Sequence, residues 1–263
     1  MKKTLQILNG VALVSTIIIN YISNSGLING KTIGNVSDGL RTLFTPAGYA
    51  FSIWGFIYLL LFGFIIYQGR SLFVKNAEDD FVEKIGPWFI ISCVANSSWV
   101  FLWLFGYTGL SCIFIFLLLF SLVKIILNNR MEIWNAPAKT IAFLWWPFVF
   151  YAGWVTVASI ANVSAFLVKI NWDGFGISPE IWTITMIIIA TIINLIVVYK
   201  RNLREFATVG IWALIAIAVP NFDQHQTISY IAIIASIIIF IVIMIQGFQN
   251  RKSNPFFKML INK

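Results

Sequence analysis

Eight stretches of this chain, residues 5–23, 46–68, 86–105, 109–127, 140–162, 179–199, 205–220 and 227–247, carry no Asp, Glu, His, Lys or Arg well inside them. A helix needs about 20 mostly apolar residues to cross roughly 30 Å of hydrocarbon. The pattern therefore predicts an all-α, polytopic membrane bundle of about eight transmembrane helices, with no room between them for a soluble domain. Composition agrees: 59% of the 263 residues are apolar and 11% charged, whereas a soluble domain has about a quarter of its residues charged. The seventh run is the shortest, its apolar part covering only 206–219, so a re-entrant segment is the alternative there.

Charge decides between these. If all eight runs span, one face receives Lys2 and Lys3, then Arg70, Lys75 and Lys84, then Lys124, Arg130 and Lys139, then Lys200, Arg201 and Arg204, and finally Arg251, Lys252, Lys258 and Lys263. The other face holds only Lys31, Arg41 and Lys169. The positive-inside rule makes the crowded face cytoplasmic, with both termini inside a membrane of the bacterial cytoplasmic (inner) type. A re-entrant seventh run would put the last four positives outside, so it is read as a short span. The net charge of +8 is then a consequence of topology, the partner it implies is the lipid bilayer, and no nucleic acid is called for. The first run resembles a signal peptide, but Ser23-Asn24-Ser25 is a poor cleavage site and the helix is read as a retained anchor. Residues 24–45 form a Gly/Asn/Ser-rich outer loop ending at Thr45-Pro46, and because Pro suits a first helical turn the second helix is predicted to begin there.

A charge-free interior also limits the chemistry. Intramembrane ionisable groups mark proton relays and many catalytic sites, so a proton-coupled pump, an intramembrane metalloprotease and an aspartate hydrolase are disfavoured. One histidine, His225, and two cysteines in apolar runs, Cys93 and Cys112, leave no metal site of several imidazoles and no disulfide framework. No metal and no required cofactor is predicted. Polarity within the spans comes from neutral groups such as Asn96, Ser97, Ser98, Thr156, Ser159 and Asn194, which can simply bond neighbouring helices. Asp223 beside His225 reads as a solvated turn after Pro220.

The aromatic content, 11 Trp, 24 Phe and 8 Tyr, concentrates in three segments. In the second run Tyr49, Phe51, Trp54 and Tyr58 follow Pro46, with Trp54 and Tyr58 four apart on one face. In the third, Asn96, Trp99 and Trp103 line a single stripe. In the fifth, Tyr151, Trp154, Ala158 and Asn162 step by three, four and four. Trp88, Trp134, Trp172 and Trp182 lie near run ends and need no role beyond the interfacial belt. Trp54, Trp99, Trp103 and Trp154 lie deeper, beside Gly55, Ser98, Ala152, Gly153 and Ala158. Such rings either pack helices or wall a pocket for a flat apolar ligand, and spacing leaves both open.

These three segments, in this order, resemble the TspO/MBR family of tryptophan-rich sensory proteins and the mitochondrial translocator protein. Helix two of that family opens on Pro-Pro-x-Trp-Val-Phe and continues to Trp-x-x-x-Tyr; this chain has Thr45-Pro46-Ala47-Gly48-Tyr49-Ala50-Phe51, then Trp54 and Tyr58. The family's Asn-x-x-Trp is matched by Asn96 and Trp99. Its Tyr-x-x-Trp, followed by Asn eight residues on, is matched by Tyr151, Trp154 and Asn162. The chain departs from the pattern at Ala47 and Tyr49, in a stretch from Pro46 to Trp54 one residue shorter, and in Pro147, four residues before Tyr151. The likeness covers residues 1–169 as a five-helix unit, and residues 170–263 add three helices and a basic tail.

The resemblance implies a membrane protein that senses or carries a porphyrin, haem-type or other tetrapyrrole, or a sterol-like molecule, in a pocket between helices two, three and five. Trp54, Asn96, Trp99, Tyr151, Trp154 and Ala158 carry over as lining, joined by their neighbours Tyr49, Phe51, Tyr58, Trp103 and Asn162. Val163, Phe166 and Lys169 follow the order of the family's cholesterol-type pattern with Phe in place of Tyr. No catalytic residue is implied. The alternatives are a light-dependent porphyrin-degrading enzyme and a small-molecule transporter, though no internal repeat favours the latter. The added helices could cover a homodimer face.

Overall fold

The computed structural model describes residues 1–74, 80–133 and 135–251. Lys75, Trp134, Lys252, Lys258 and Lys263 lie outside the described residues. Among those described there is no strand. The helices are α1 (Lys2–Asn24), α2 (Ile33–Gly39), α3 (Ile53–Gly69), α4 (Phe81–Ile85), α5 (Trp88–Leu104), α6 (Thr108–Asn128), the single turn α7 (Ala138–Thr140), α8 (Trp146–Lys169), α9 (Pro179–Arg201), α10 (Arg204–Asn221) and α11 (Gln226–Gln249). Each of the eight apolar runs thus contains one long helix, and the protein is a polytopic helical bundle. Among the described residues six segments are long and apolar enough to cross a membrane: Lys2–Asn24, Gly48–Leu72, Thr108–Asn128, Ala138–Lys169, Pro179–Arg201 and Gln226–Gln249. Trp88–Leu104 is apolar but shorter, and α10 starts with Arg204 and Glu205.

The chain divides into two compact units that interleave along the sequence. One comprises Met1–Thr42, Trp54–Asn129 and Ala158–Trp172; the other comprises Leu43–Ile53, Arg130–Val157 and Asp173–Lys263. The first half of α8 belongs to the second unit and its second half to the first.

In the first unit α1 is built the opposite way from a helix in water. Its buried residues are Gln6, Asn9, Leu13, Thr16, Asn20 and Ser23, while Ile7, Leu8, Val11, Val14 and Ile18 are exposed. In lipid, apolar side chains gain nothing by turning inward, and helix association rests on close packing and hydrogen bonds. The buried stripe supplies them. The Gln6 amide donates to the Gln68 carbonyl (2.6 Å) and Ser71 Oγ (2.7 Å), and Asn9 Nδ2 donates to Gln68 Oε1 (3.0 Å). Further along, Asn20 Nδ2 donates to Asn96 Oδ1 (2.8 Å) on α5. Helices α5 and α6 form a hairpin whose turn takes Gly106 to φ 77°, a conformation that favours glycine.

In the second unit α10 is the central element, with Ala207, Ala213, Ala216 and Ile217 fully buried and both α9 and α11 packed on it. Small residues set these approaches. A Cβ on Gly153 of α8 would stand 2.8 Å from the Phe206 carbonyl oxygen, and one on Gly210 would stand 2.4 Å from Asn194 Oδ1 of α9. The ends of α9 are capped as its sequence suggests: the Ser178 hydroxyl accepts from Ile181 N–H, Pro179 occupies the first turn, and Asn202 closes the helix in the left-handed conformation, which Asn tolerates. Pro147 cannot donate a helical hydrogen bond, and the turn before it, Ile141–Trp145, is π-helical.

One expectation about the second apolar run is corrected. Its helix does not start at Pro46: Ala47 is extended (φ −55°, ψ 146°), Gly48–Ser52 is a 3-10 turn, and the α-helix begins at Ile53. Ala47 stands at the N-cap of the 3-10 turn, and its N–H donates to the Ala216 carbonyl of α10 at 2.8 Å.

Candidate ligand site

The sequence-predicted residues fall into both units. In the first unit Trp54 and Tyr58, one turn apart on α3, stack with centroids 5.6 Å apart at 24°. Trp99 and Trp103, one turn apart on α5, stack at 5.9 Å and 19°. The helical spacing anticipated both pairs.

The indole N–H groups of Trp99 and Trp103 are consumed internally. Trp99 Nε1 donates to Asn162 Oδ1 at 2.6 Å, and Asn162 Nδ2 in turn donates to Ser111 Oγ (2.9 Å) and Cys112 Sγ (3.1 Å). Trp103 Nε1 donates to the Ile33 carbonyl at 3.2 Å. Asn96, which shares their stripe, accepts from Asn20. These rings can therefore offer faces and edges but no N–H. Tyr58 differs: its hydroxyl is buried and has no hydrogen-bond partner among the described residues. A buried hydroxyl left unpaired costs about 1–3 kcal/mol, so this group marks where the wall lacks a polar partner. Ala158 is half-buried on α8.

The weaker sterol-type residues lie at the end of α8. Val163 and Phe166 are half-buried and Lys169 is exposed. A Cβ on Gly109 would stand 3.1 Å from the Phe166 ring, and Lys169 Nζ donates to the Gly106 carbonyl. Both residues thus tie the end of α8 to the start of α6.

In the second unit Phe51 meets Trp154 edge-on, centroids 5.9 Å apart at 82°, and Tyr151 and Trp154 are almost wholly buried. Tyr49 meets Trp212 edge-on at 5.3 Å, and Trp212 Nε1 donates to the Ala50 carbonyl at 3.2 Å. Trp212 went unremarked in the sequence, although an indole in the middle of the seventh run was the available signal. Asn20 and Ser111 were likewise missed, and for Asn20 the signal was its place on the polar stripe of α1.

At run ends, Trp88 lies edge-on to Phe120 with Lys124 over its ring (5.8 Å), and Trp182 Nε1 donates to the Gly174 carbonyl. Outside the spanning segments, burial and then the Glu205 carboxylate push Glu132 up to about 8, against the pull of Arg204. Glu205 accepts from Trp146 Nε1 at 3.2 Å. Among the described residues no group of three or more His, Cys, Asp or Glu side chains could hold a metal ion.

No match was found among curated proteins or among solved structures. A family model described as TSPO-like protein does match, over residues 6–245. The match runs past residue 169, where the motif resemblance ended, and takes in the three C-terminal helices. With apolar, membrane-length helices distributed over that whole span, the chain is an integral membrane protein that belongs to the TSPO-like family.

Proposed function

We propose that this protein binds a flat hydrophobic molecule of the porphyrin class on its aromatic walls and acts as a membrane sensor or carrier for it, with both termini on the cytoplasmic side. The observation that carries the reading is Tyr58: a stacked Trp54–Tyr58 wall ending in a buried hydroxyl without a partner among the described residues. Aromatic faces bind a flat ring system by stacking, and one polar group orients it. The Trp99–Trp103 stack, its N–H groups already bonded, supplies a second apolar face in the same unit. In the other unit, taken by itself, Phe51 and Trp154 form an edge-on pair that offers a separate aromatic wall.

The test is a titration of the purified protein with protoporphyrin IX. Tryptophan fluorescence should quench saturably at micromolar ligand, and Trp54→Phe should weaken the effect. Tyr58→Phe should separate binding from packing. Loss of the hydroxyl should weaken protoporphyrin binding about 3–20-fold while leaving the melting temperature unchanged or raised, since an unpaired buried group has been removed. Absence of quenching at micromolar protoporphyrin, or an unchanged affinity in both variants, would overturn the reading.

A further inference from the structure

Within the second unit α10, one of the three C-terminal helices, holds in place the segment that carries Phe51 to Trp154. Helix α10 has Pro220 in its last turn. Proline has no N–H, so the carbonyl four residues earlier, that of Ala216, lacks its helical donor. That carbonyl accepts instead from Ala47 N–H at 2.8 Å. Two further bonds follow along the same strip: Asn221 Nδ2 donates to the Leu43 carbonyl at 2.8 Å, and Trp212 Nε1 donates to the Ala50 carbonyl at 3.2 Å. Residues 212, 216 and 221 thus meet 50, 47 and 43 in antiparallel order. Ala216 is fully buried, and its small side chain lets the two backbones approach.

We propose that α10 is the positioning element for the ligand wall of its unit: the carbonyl freed by Pro220, with Asn221 and Trp212, seats residues 43–50 and thereby sets Phe51 against Trp154. This rests on the binding reading above. The seat makes helix α10 part of the binding module.

The test uses the full chain with Pro220→Ala, Asn221→Ala and the double variant. Pro220→Ala restores an N–H that competes with Ala47 for the Ala216 carbonyl and also removes a helix breaker, so the melting temperature should hold or rise. Two readouts are taken. Amide hydrogen exchange of the peptide containing residues 43–51, measured without ligand, should accelerate in each variant and most in the double. Protoporphyrin affinity should weaken about 2–10-fold for each substitution, with Trp212→Phe, which keeps the ring against Tyr49, showing a comparable loss. Unchanged exchange would overturn the seat itself. Accelerated exchange with unchanged affinity, while Tyr58→Phe still weakens binding, would overturn the positioning role and leave the binding reading standing. No quenching in the unaltered chain would overturn the binding reading and the positioning role together, with exchange still reporting on the seat alone.

Discussion

At the scale of single residues, Asn162 joins three helices through one amide, accepting from Trp99 and donating to Ser111 and Cys112. Asn162→Ala leaves a buried indole N–H without its acceptor, which should cost about 1–3 kcal/mol and appear as a lower melting temperature in detergent; an unchanged melt would show the bond to be replaceable. Glu132 carries a different prediction. Its folded-state value of about 8 lies above the ordinary 4.5, so the folded chain holds a proton that the unfolded chain releases. The folding cost from this group is absent below 4.5, grows as pH rises to about 8, and is constant above that. Glu132→Gln, neutral throughout, should therefore raise the melting temperature by a few degrees at pH 8.5 and by no more than about one degree near pH 4.5, and a pH-independent difference would count against it. The stacked pairs Trp54–Tyr58 and Trp99–Trp103 were legible because helical spacing alone brings i and i+4 together. The Trp99–Asn162 bond was not, since nothing in the spacing says which neighbour an indole N–H on α5 will face.

At the scale of elements, Gly153 of α8 and Gly210 of α10 test how the second unit packs. Gly210→Ala forces a methyl group into the Asn194 amide, a side chain that is itself bonded to the Ala190 carbonyl. The cost should be about 1–3 kcal/mol, and Asn194→Ala in the same chain should recover most of it. Gly153→Ala instead meets the Phe206 backbone carbonyl, so no side-chain replacement at Phe206 should recover its cost. Thermal melts of the single and double variants distinguish the two, and equal rescue at both sites would contradict the geometry. The existence and approximate lengths of the long helices were readable from hydropathy because each apolar run must bond its own backbone in lipid. The change from 3-10 to α geometry at Ile53 was not, because hydropathy does not distinguish the two kinds of helix. Pro46 gave the usual signal for a first helical turn, and the helical segment begins two residues later, at Gly48.

For the molecule as a whole, the two units draw on alternating stretches of sequence, and residues 43–53 and 130–157 belong with the C-terminal helices. A chain ending at residue 172 would lose the partners of Leu43, Ala47 and Ala50 and the surface covering Gly153. It should fail to give a monodisperse peak in size exclusion or a cooperative melt. A well-behaved truncated protein would show that the first five long helices suffice. Motif spacing could not reveal this dependence, since the motifs mark aromatic residues and the dependence runs through backbone groups and glycines. The polar stripe of α1 has a consequence for biogenesis. A helix whose outward face is Ile, Leu and Val and whose inward face is Gln, Asn and Thr is apolar enough to enter the bilayer alone. It has nothing to gain from docking before it does so. Insertion should therefore precede assembly, with the amides of Gln6, Asn9 and Asn20 acting as a latch that closes only once lipid has replaced water around them.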